Sequence, residues 1–289
     1  MTGSISSRLP LFKMTRFLIL FLLLTSACSH NKKFTIYSGD KKASFFKIAD
    51  SLCKVFNQQP DHSNLECVAL ESHGALENLK LLNSKKADLA IVKTSEFNKF
   101  FLPKIPNQTK FVANLHQEYL TVLVRKNSKI NSLSDLVGKS VNIGSADSSS
   151  ATITEKYLAR AKITPQKIYH LGARESFKML CQNQLDAWIY FVGHPNSEYA
   201  QTLTNCDVKL LQLSQSELKN FSAAAPFFKK NKISKNFYPS LPKEINTISS
   251  DTILASRNDL DPQIIITLQD ILQNHKSELI KENPIFSNF

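Results

Sequence analysis

Apolar and polar positions fall into blocks along the chain, and the order of the blocks predicts alternating strands and helices. FTIYSG (34–39) reads as a strand running into a loop. In SFFKIADSLCKVFNQ (44–58), Phe45, Ile48, Ala49, Leu52, Val55 and Phe56 fall on one face of a helix. A strand at 66–72, a helix at 75–84 and a strand at 88–95 complete a β-α-β-α-β order, which implies a parallel sheet covered by helices. YLTVLVRK (119–126) is a long strand candidate, after which the pattern restarts. Strands are expected at 139–144, 167–172, 185–193 and 206–214, with helices at 151–162 and 174–183. A second long strand, NTISSDTILASR (246–257), and a last helix at 261–276 follow. Residues 221–242, rich in proline and lysine, are expected to be the loosest. Two successive α/β units of similar size predict two lobes rather than one sheet, with the two long strands crossing between them. There is no internal repeat and no coiled-coil heptad.

The first residues break this pattern. Arg8, Lys13 and Arg16 precede the apolar run FLILFLLL (17–24), and the small residues TSAC (25–28) follow. Basic start, short apolar centre and small-residue end are the layout of a secretory signal. Eight apolar residues are too few to span a bilayer, which takes roughly 20 as a helix. Met14 begins a complete short signal of its own. Cys28 stands where a bacterial lipoprotein is cleaved and acylated, but Thr25 replaces the usual Leu or Val. Acylation of Cys28 and plain cleavage after Ala27 therefore both remain open. The expected division is a signal peptide at 1–27, a tether at 28–33, a first lobe at 34–124, a second at 125–225 and a return to the first lobe at 226–289. A periplasmic or otherwise exported protein follows, with a lipid anchor to the inner membrane surface if Cys28 is acylated.

Export places the other four cysteines, Cys53, Cys67, Cys181 and Cys206, in an oxidising compartment. Three connectivities are possible, and Cys53–Cys67 with Cys181–Cys206 is the most economical because each pair is close in sequence. Charge adds one exclusion. Lys and Arg number 36 against 24 Asp and Glu, and loss of residues 1–27 removes three basic residues, leaving 33 against 24. The basic residues are dispersed, which fits solvated surface and a general preference for anionic partners rather than a nucleic-acid footprint.

Catalytic motifs are missing. Gly138-Lys139-Ser140 looks like the end of a phosphate-binding loop, but Leu133 stands where that loop needs glycine. There is no GxGxxG or GxSxG, and none of the seven histidines pairs with another at metal-ligand spacing. No catalytic residue, metal or cofactor is expected. An exported chain with two α/β lobes suits a protein that traps a solute in a cleft and closes on a hinge.

Several stretches in order carry a family resemblance. They are Tyr37-Ser38-Gly39 with Phe45-Phe46, Cys53, ECVALESHGALENLKLL (66–82) and ADLAIVKTSE (87–96). In the second half SLSDLVGKSVNIGSADSSSATIT (132–154), LDAWIYFVGHPN (185–196), Phe237-Tyr238-Pro239 and DTILASRNDL (251–260) continue it. These segments resemble the TAXI solute receptors of TRAP transporters, some of which are called immunogenic protein. The resemblance implies a two-lobed type II periplasmic-binding-protein fold and a monomeric receptor. Such a receptor captures a small organic anion, a dicarboxylate or acidic amino acid, and delivers it to the transporter's membrane subunits. Ala43, Ala75 and Ser149 depart from the family pattern, as does Asp147, which adds a negative charge. The same fold could instead serve as an exported sensory or adaptor module, or less readily as a hydrolase.

Ligands in open α/β sheets bind beyond the carboxyl ends of the strands. On that basis the expected ligand residues are Ser38, Gly39, Phe46, Gly74, Ala75, Asn78 and Thr94 in the first lobe. In the second they are Ser145, Ser148, Ser149, Ser150, Tyr190 and His194. In GSADSSSATITEKY (144–157), four serines in six positions precede a helix. One serine suffices for an N-cap, so the serines are expected to hold a ligand carboxylate as well, with Asp147 turned to solvent.

Overall fold

The computed structural model describes residues 3, 32–41, 43–60, 64–97, 109–146, 148–224 and 227–288. The expected signal peptide, Cys28 and Asp147 lie outside the described residues. Strands β1 (Lys32–Tyr37), β2 (Leu65–Leu70) and β3 (Leu89–Lys93) alternate with helices α1 (Ser44–Gln58) and α2 (Ala75–Asn83). Helix α1 keeps the predicted boundaries because its apolar stripe is intact: Ile48, Ala49, Leu52, Val55 and Phe56 are buried. Strand β3 is wholly buried and stops at Lys93, where a one-turn helix, α3 (Thr94–Phe97), replaces the expected end of the strand.

The crossing strand β4 (Thr109–Arg125) has 17 residues, far more than the run predicted at 119–126. Its first half, TKFVANLHQE, mixes polar with apolar residues and so lacks a clean period of two. The second half of the fold contains β5 (Ser140–Asn142), α4 (Ser149–Arg160), β6 (Lys167–Tyr169), α5 (Ala173–Cys181) and β7 (Ala187–Gly193). Then come α6 (Ser197–Asn205), β8 (Val208–Leu210), α7 (Gln215–Ala224) and β9 (Lys229–Ile233). The long β10 (Ile245–Arg257), α8 (Pro262–Asn274) and α9 (Lys276–Glu282) follow. Helices α6 and α7 were not predicted, and β9 falls inside the stretch expected to be loosest.

The ten strands among the described residues form one hydrogen-bonded sheet, β2-β1-β3-β10-β4-β7-β5-β6, with β8 paired to β4 and β9 to β10. This corrects the expectation of two sheets. The physical reason is the length of the crossing strands. β10 pairs with β9 through Ile245–Ser249 and with β3 through Thr252–Ser256. β4 pairs with β10 from Thr109 to Tyr119 and with β7 from Glu118 to Val124. Each strand therefore belongs to both halves, and the ladder never breaks.

The halves remain distinct in their cores. Phe34, Ile36, Leu52, Phe56, Leu268 and Ile271 pack on one face of the first half. Ile143, Ala151, Leu158, Ile189 and Phe191 form a core of the second, and Trp188, Tyr199 and Leu123 lie in another. Phe227, Phe228, Ile233, Tyr238 and Ile248 also pack into the second half, so the chain returns to the first half along β10 and not at residue 226 as expected. Both disulfides form as the sequence predicts. Cys53 on α1 joins Cys67 on β2 with Cα atoms 4.9 Å apart, and Cys181 at the end of α5 joins Cys206 after α6 at 5.2 Å. Closing loops of 14 and 25 residues is worth on the order of 3 kcal/mol each in the chain-entropy picture. Among the described residues no helix is long and apolar enough to cross a membrane.

Candidate functional site

Strand β3 ends in a lysine that has nowhere polar to go except toward other charges. Lys93 is 9% exposed, and burying an ammonium without a partner is prohibitive. Its Nζ lies 2.6 Å from Oε2 of Glu118, which sits on β4 and is 6% exposed. A second carboxylate arrives from the α3 turn: Oε2 of Glu96 accepts a hydrogen bond from the Lys93 backbone N–H at 3.2 Å. Burial pulls the Lys93 pKa down, but Glu118 and Glu96 outweigh it and the ammonium is held above its usual range. Burial pushes the Glu96 carboxyl up, and attraction to Lys93 only partly restores it.

These three groups form the floor of a cavity of about 790 Å³ between the halves of the fold. That volume is within the range of small-molecule sites. Gly39, Phe45 and Glu71 line it from the first half, together with the start of α2 from Gly74 to Glu77. The second half contributes Ser148, Ser149, Tyr190, Phe191 and Val192. Gly74 is the N-cap of α2 at φ 109°, a left-handed conformation that suits glycine. Gly144 has φ +90°, and a Cβ there would stand 2.5 Å from the Tyr190 ring, so glycine lets Tyr190 lie against the loop.

Of the expected ligand residues, Gly39, Gly74, Ala75, Ser148, Ser149 and Tyr190 line the cavity. The others have structural roles instead. Ser38 is buried, and its hydroxyl donates to the Leu70 carbonyl. The Asn78 amide donates to the carbonyls of Ser38 and Ile91, 2.7 Å each, and so braces the ends of β1 and β3. Thr94 donates to the Asp251 carbonyl, tying α3 to β10. Phe46 does not line the cavity; its neighbour Phe45 does, because it stands at the cleft end of the α1 stripe. Ser145 is exposed away from the lining and accepts the Ser148 N–H through its carbonyl. His194 is 1% exposed, held between the Thr121 hydroxyl and the Tyr238 hydroxyl, before a cis peptide bond to Pro195.

Two hydroxyls of the serine cluster accept backbone N–H groups of the protein. Ser148 Oγ accepts the Ala151 N–H at 3.1 Å as the N-cap of α4. Ser150 Oγ accepts the Phe191 N–H at 3.0 Å, fastening α4 to β7. Ser149 stands near enough to Glu96 to help hold its carboxyl down.

Sequence reasoning missed Lys93, Glu96 and Glu118, yet each left a signal. Lys93 ends the apolar run LAIV, Glu96 follows it by one helical turn, and Glu118 immediately precedes YLTVLV. A charge inside or beside a run that must be buried is costly unless it is paired. Among the described residues no group of three or more His, Cys, Asp and Glu is placed to hold a metal ion.

This geometry can be set beside known proteins. A family model described as the NMT1-like family matches residues 38–283 of the chain. The chain belongs to the NMT1-like family. Solved structures add the fold. The periplasmic aliphatic sulphonate binding protein SsuA of Escherichia coli superposes with a TM-score of 0.54 at 14% identity, over 89% of this chain and 78% of that one. XAC2383 of Xanthomonas citri, solved with ATP, gives 0.56 at 11% identity, over 89% of each chain. The substrate binding protein of an amino acid ABC transporter gives 0.50 at 12%, over 86% and 98%. At such identities the likeness concerns the fold, which is that of type II periplasmic-binding proteins. In this NMT1-like chain Lys93, Glu118 and Glu96 line the cavity described above.

Proposed function

We propose that the protein is the extracytoplasmic solute receptor of a membrane transporter. The observation that carries this reading is the cavity between two halves that share the long crossing strands, lined by both halves and with Lys93, Glu96 and Glu118 among its lining. Binding proteins need such an enclosed site with a few fixed polar groups and two bodies able to close on it. The resemblance to TAXI receptors suggests that the partners are TRAP-type membrane subunits. The one lysine among the described lining residues, Lys93, is already paired with Glu118.

Thermal melting against a panel of anionic, neutral and cationic solutes tests the receptor reading. A solute at about 100 times its dissociation constant adds roughly 2.7 kcal/mol, a rise of about 5–10 °C for a chain of this size. The expected result is such a rise for one chemical class, with the solute recovered unchanged. A panel without any shift, or a solute converted during incubation, would overturn the reading.

A further inference from the structure

We propose that the cleft selects a solute carrying a protonated amine, seated over the floor beside Glu96 and Glu118 with the rings of Phe45 and Tyr190 as walls. This rests on the receptor reading and specifies the chemistry of the same site.

The first support is the sign of the lining. The chain as a whole has a formal charge of +12, yet among the described lining residues there are five carboxylates, Asp40, Glu71, Glu77, Glu96 and Glu118, and one lysine, with Lys41 paired to Glu71 at the rim. Glu71 and Glu77 hold rim backbone, accepting the N–H groups of Lys41 and His73, so the floor decides. There two carboxylates face one ammonium, which leaves one negative charge uncompensated when Glu96 is ionised. A buried excess charge is stabilised by a proton or by an incoming cation.

Glu118 adds an independent observation. Glu118 lines the cleft, and its solvent-inaccessible Oε2 receives no hydrogen bond besides the ion pair with Lys93. A carboxylate can accept several donors, so it has capacity for an N–H from a ligand. The walls fit the same class. The Lys93 ammonium stands 5.9 Å from the centre of the Phe45 ring, which shows that this ring face receives a cation. The one lysine among the described lining residues is already paired, and the Ser148 and Ser150 hydroxyls each accept a backbone N–H.

Proton linkage gives a distinctive readout. The groups facing Glu96 are Lys93 on β3, Glu118 on β4 and Ser149 on α4, while Tyr190 and His116 act on Lys93. Burial raises the Glu96 pKa, so acidification neutralises Glu96 before ordinary carboxylates and removes the charge that attracts the amine.

The test is thermal melting and calorimetry on the folded chain with 1,5-diaminopentane and L-lysine methyl ester as cationic probes, succinate and glutarate as anionic probes, and glucose as the neutral one. The cationic probes are expected to bind, with affinity falling as the pH drops from 7.5 to 5. Glu96→Gln should weaken them by about 10- to 100-fold, the loss of one charge-assisted bond, and should abolish that pH dependence. The amide keeps the shape of the side chain, and circular dichroism confirms that the variant is folded. Binding of succinate or glutarate with the cations inert would overturn the inference and leave the receptor reading standing. Cation binding unchanged in Glu96→Gln would overturn the assigned site, and a chain that binds no solute of any class overturns both readings.

Discussion

Replacing Lys93 with methionine should destabilise the protein by about 3–5 kcal/mol at neutral pH, the cost of removing one partner from a buried ion pair. Methionine fills the space of the lysine stem, so packing at the end of β3 is largely kept. What changes is charge: Glu118 at 6% exposure and Glu96 above it face each other with no cation between them. Natural domains have only about 5–15 kcal/mol in hand, so the loss would be plain in urea unfolding. The double variant Lys93→Met with Glu118→Gln removes both members of the pair and should regain most of the loss, since neutral replacement of a whole buried pair is often nearly harmless. A single variant within about 1 kcal/mol of wild type would show that the floor is solvated and the pair unimportant.

Acid should destabilise the protein well before ordinary carboxylates titrate. His116 and His194 are 2% and 1% exposed, and burial lowers both pKa values to about 3. In the unfolded chain a histidine titrates near 6.5. Between these values the unfolded state binds more protons, so stability falls as the pH falls through this window. From pH 7 to pH 5 the two histidines together remove roughly 4 kcal/mol. Glu96 works in the opposite sense, because its raised folded pKa favours the folded state on acidification. The histidines also differ from each other. Neither ring nitrogen of His116 has a hydrogen-bond partner among the described residues, whereas His194 holds Thr121 and Tyr238. His116→Leu should therefore cost nothing at pH 7 and remove about half of the acid sensitivity, while His194→Leu should destabilise at every pH. Melting temperatures of the three proteins at pH 7, 6 and 5 check this, and a wild type with equal stability at pH 7 and 5 would contradict it.

The α/β order was legible in the sequence wherever burial is one-sided and regular. Helix α1 shows this, as do the apolar runs of β3 and β7. The first half of β4 was not, because residues such as Asn114, His116 and Glu118 take their place from partners on other strands and helices, which local periodicity does not encode. The single sheet was hidden for the same reason: nothing in 119–126 shows that the strand begins ten residues earlier. At the site, glycines and small residues at strand ends were readable as cleft loops, and six of the thirteen expected residues line the cavity. Ser38, Asn78, Thr94 and Ser150 were polar near the cleft but turned to backbone groups, and a hydroxyl or amide cannot announce from sequence which of the two it serves. The floor itself was overlooked because Lys93 and Glu118, 25 positions apart, meet only once β3 and β4 flank β10.

The central claim is that this cleft captures an intact small molecule. Native mass spectrometry of the protein, purified gently and without added solute, tests it most directly. The account predicts one low-mass molecule per chain, released unchanged on mild activation and absent from a chain unfolded and refolded in clean buffer. A chain that carries nothing when first isolated, and gains no adduct from an extract of its own cells, would contradict it.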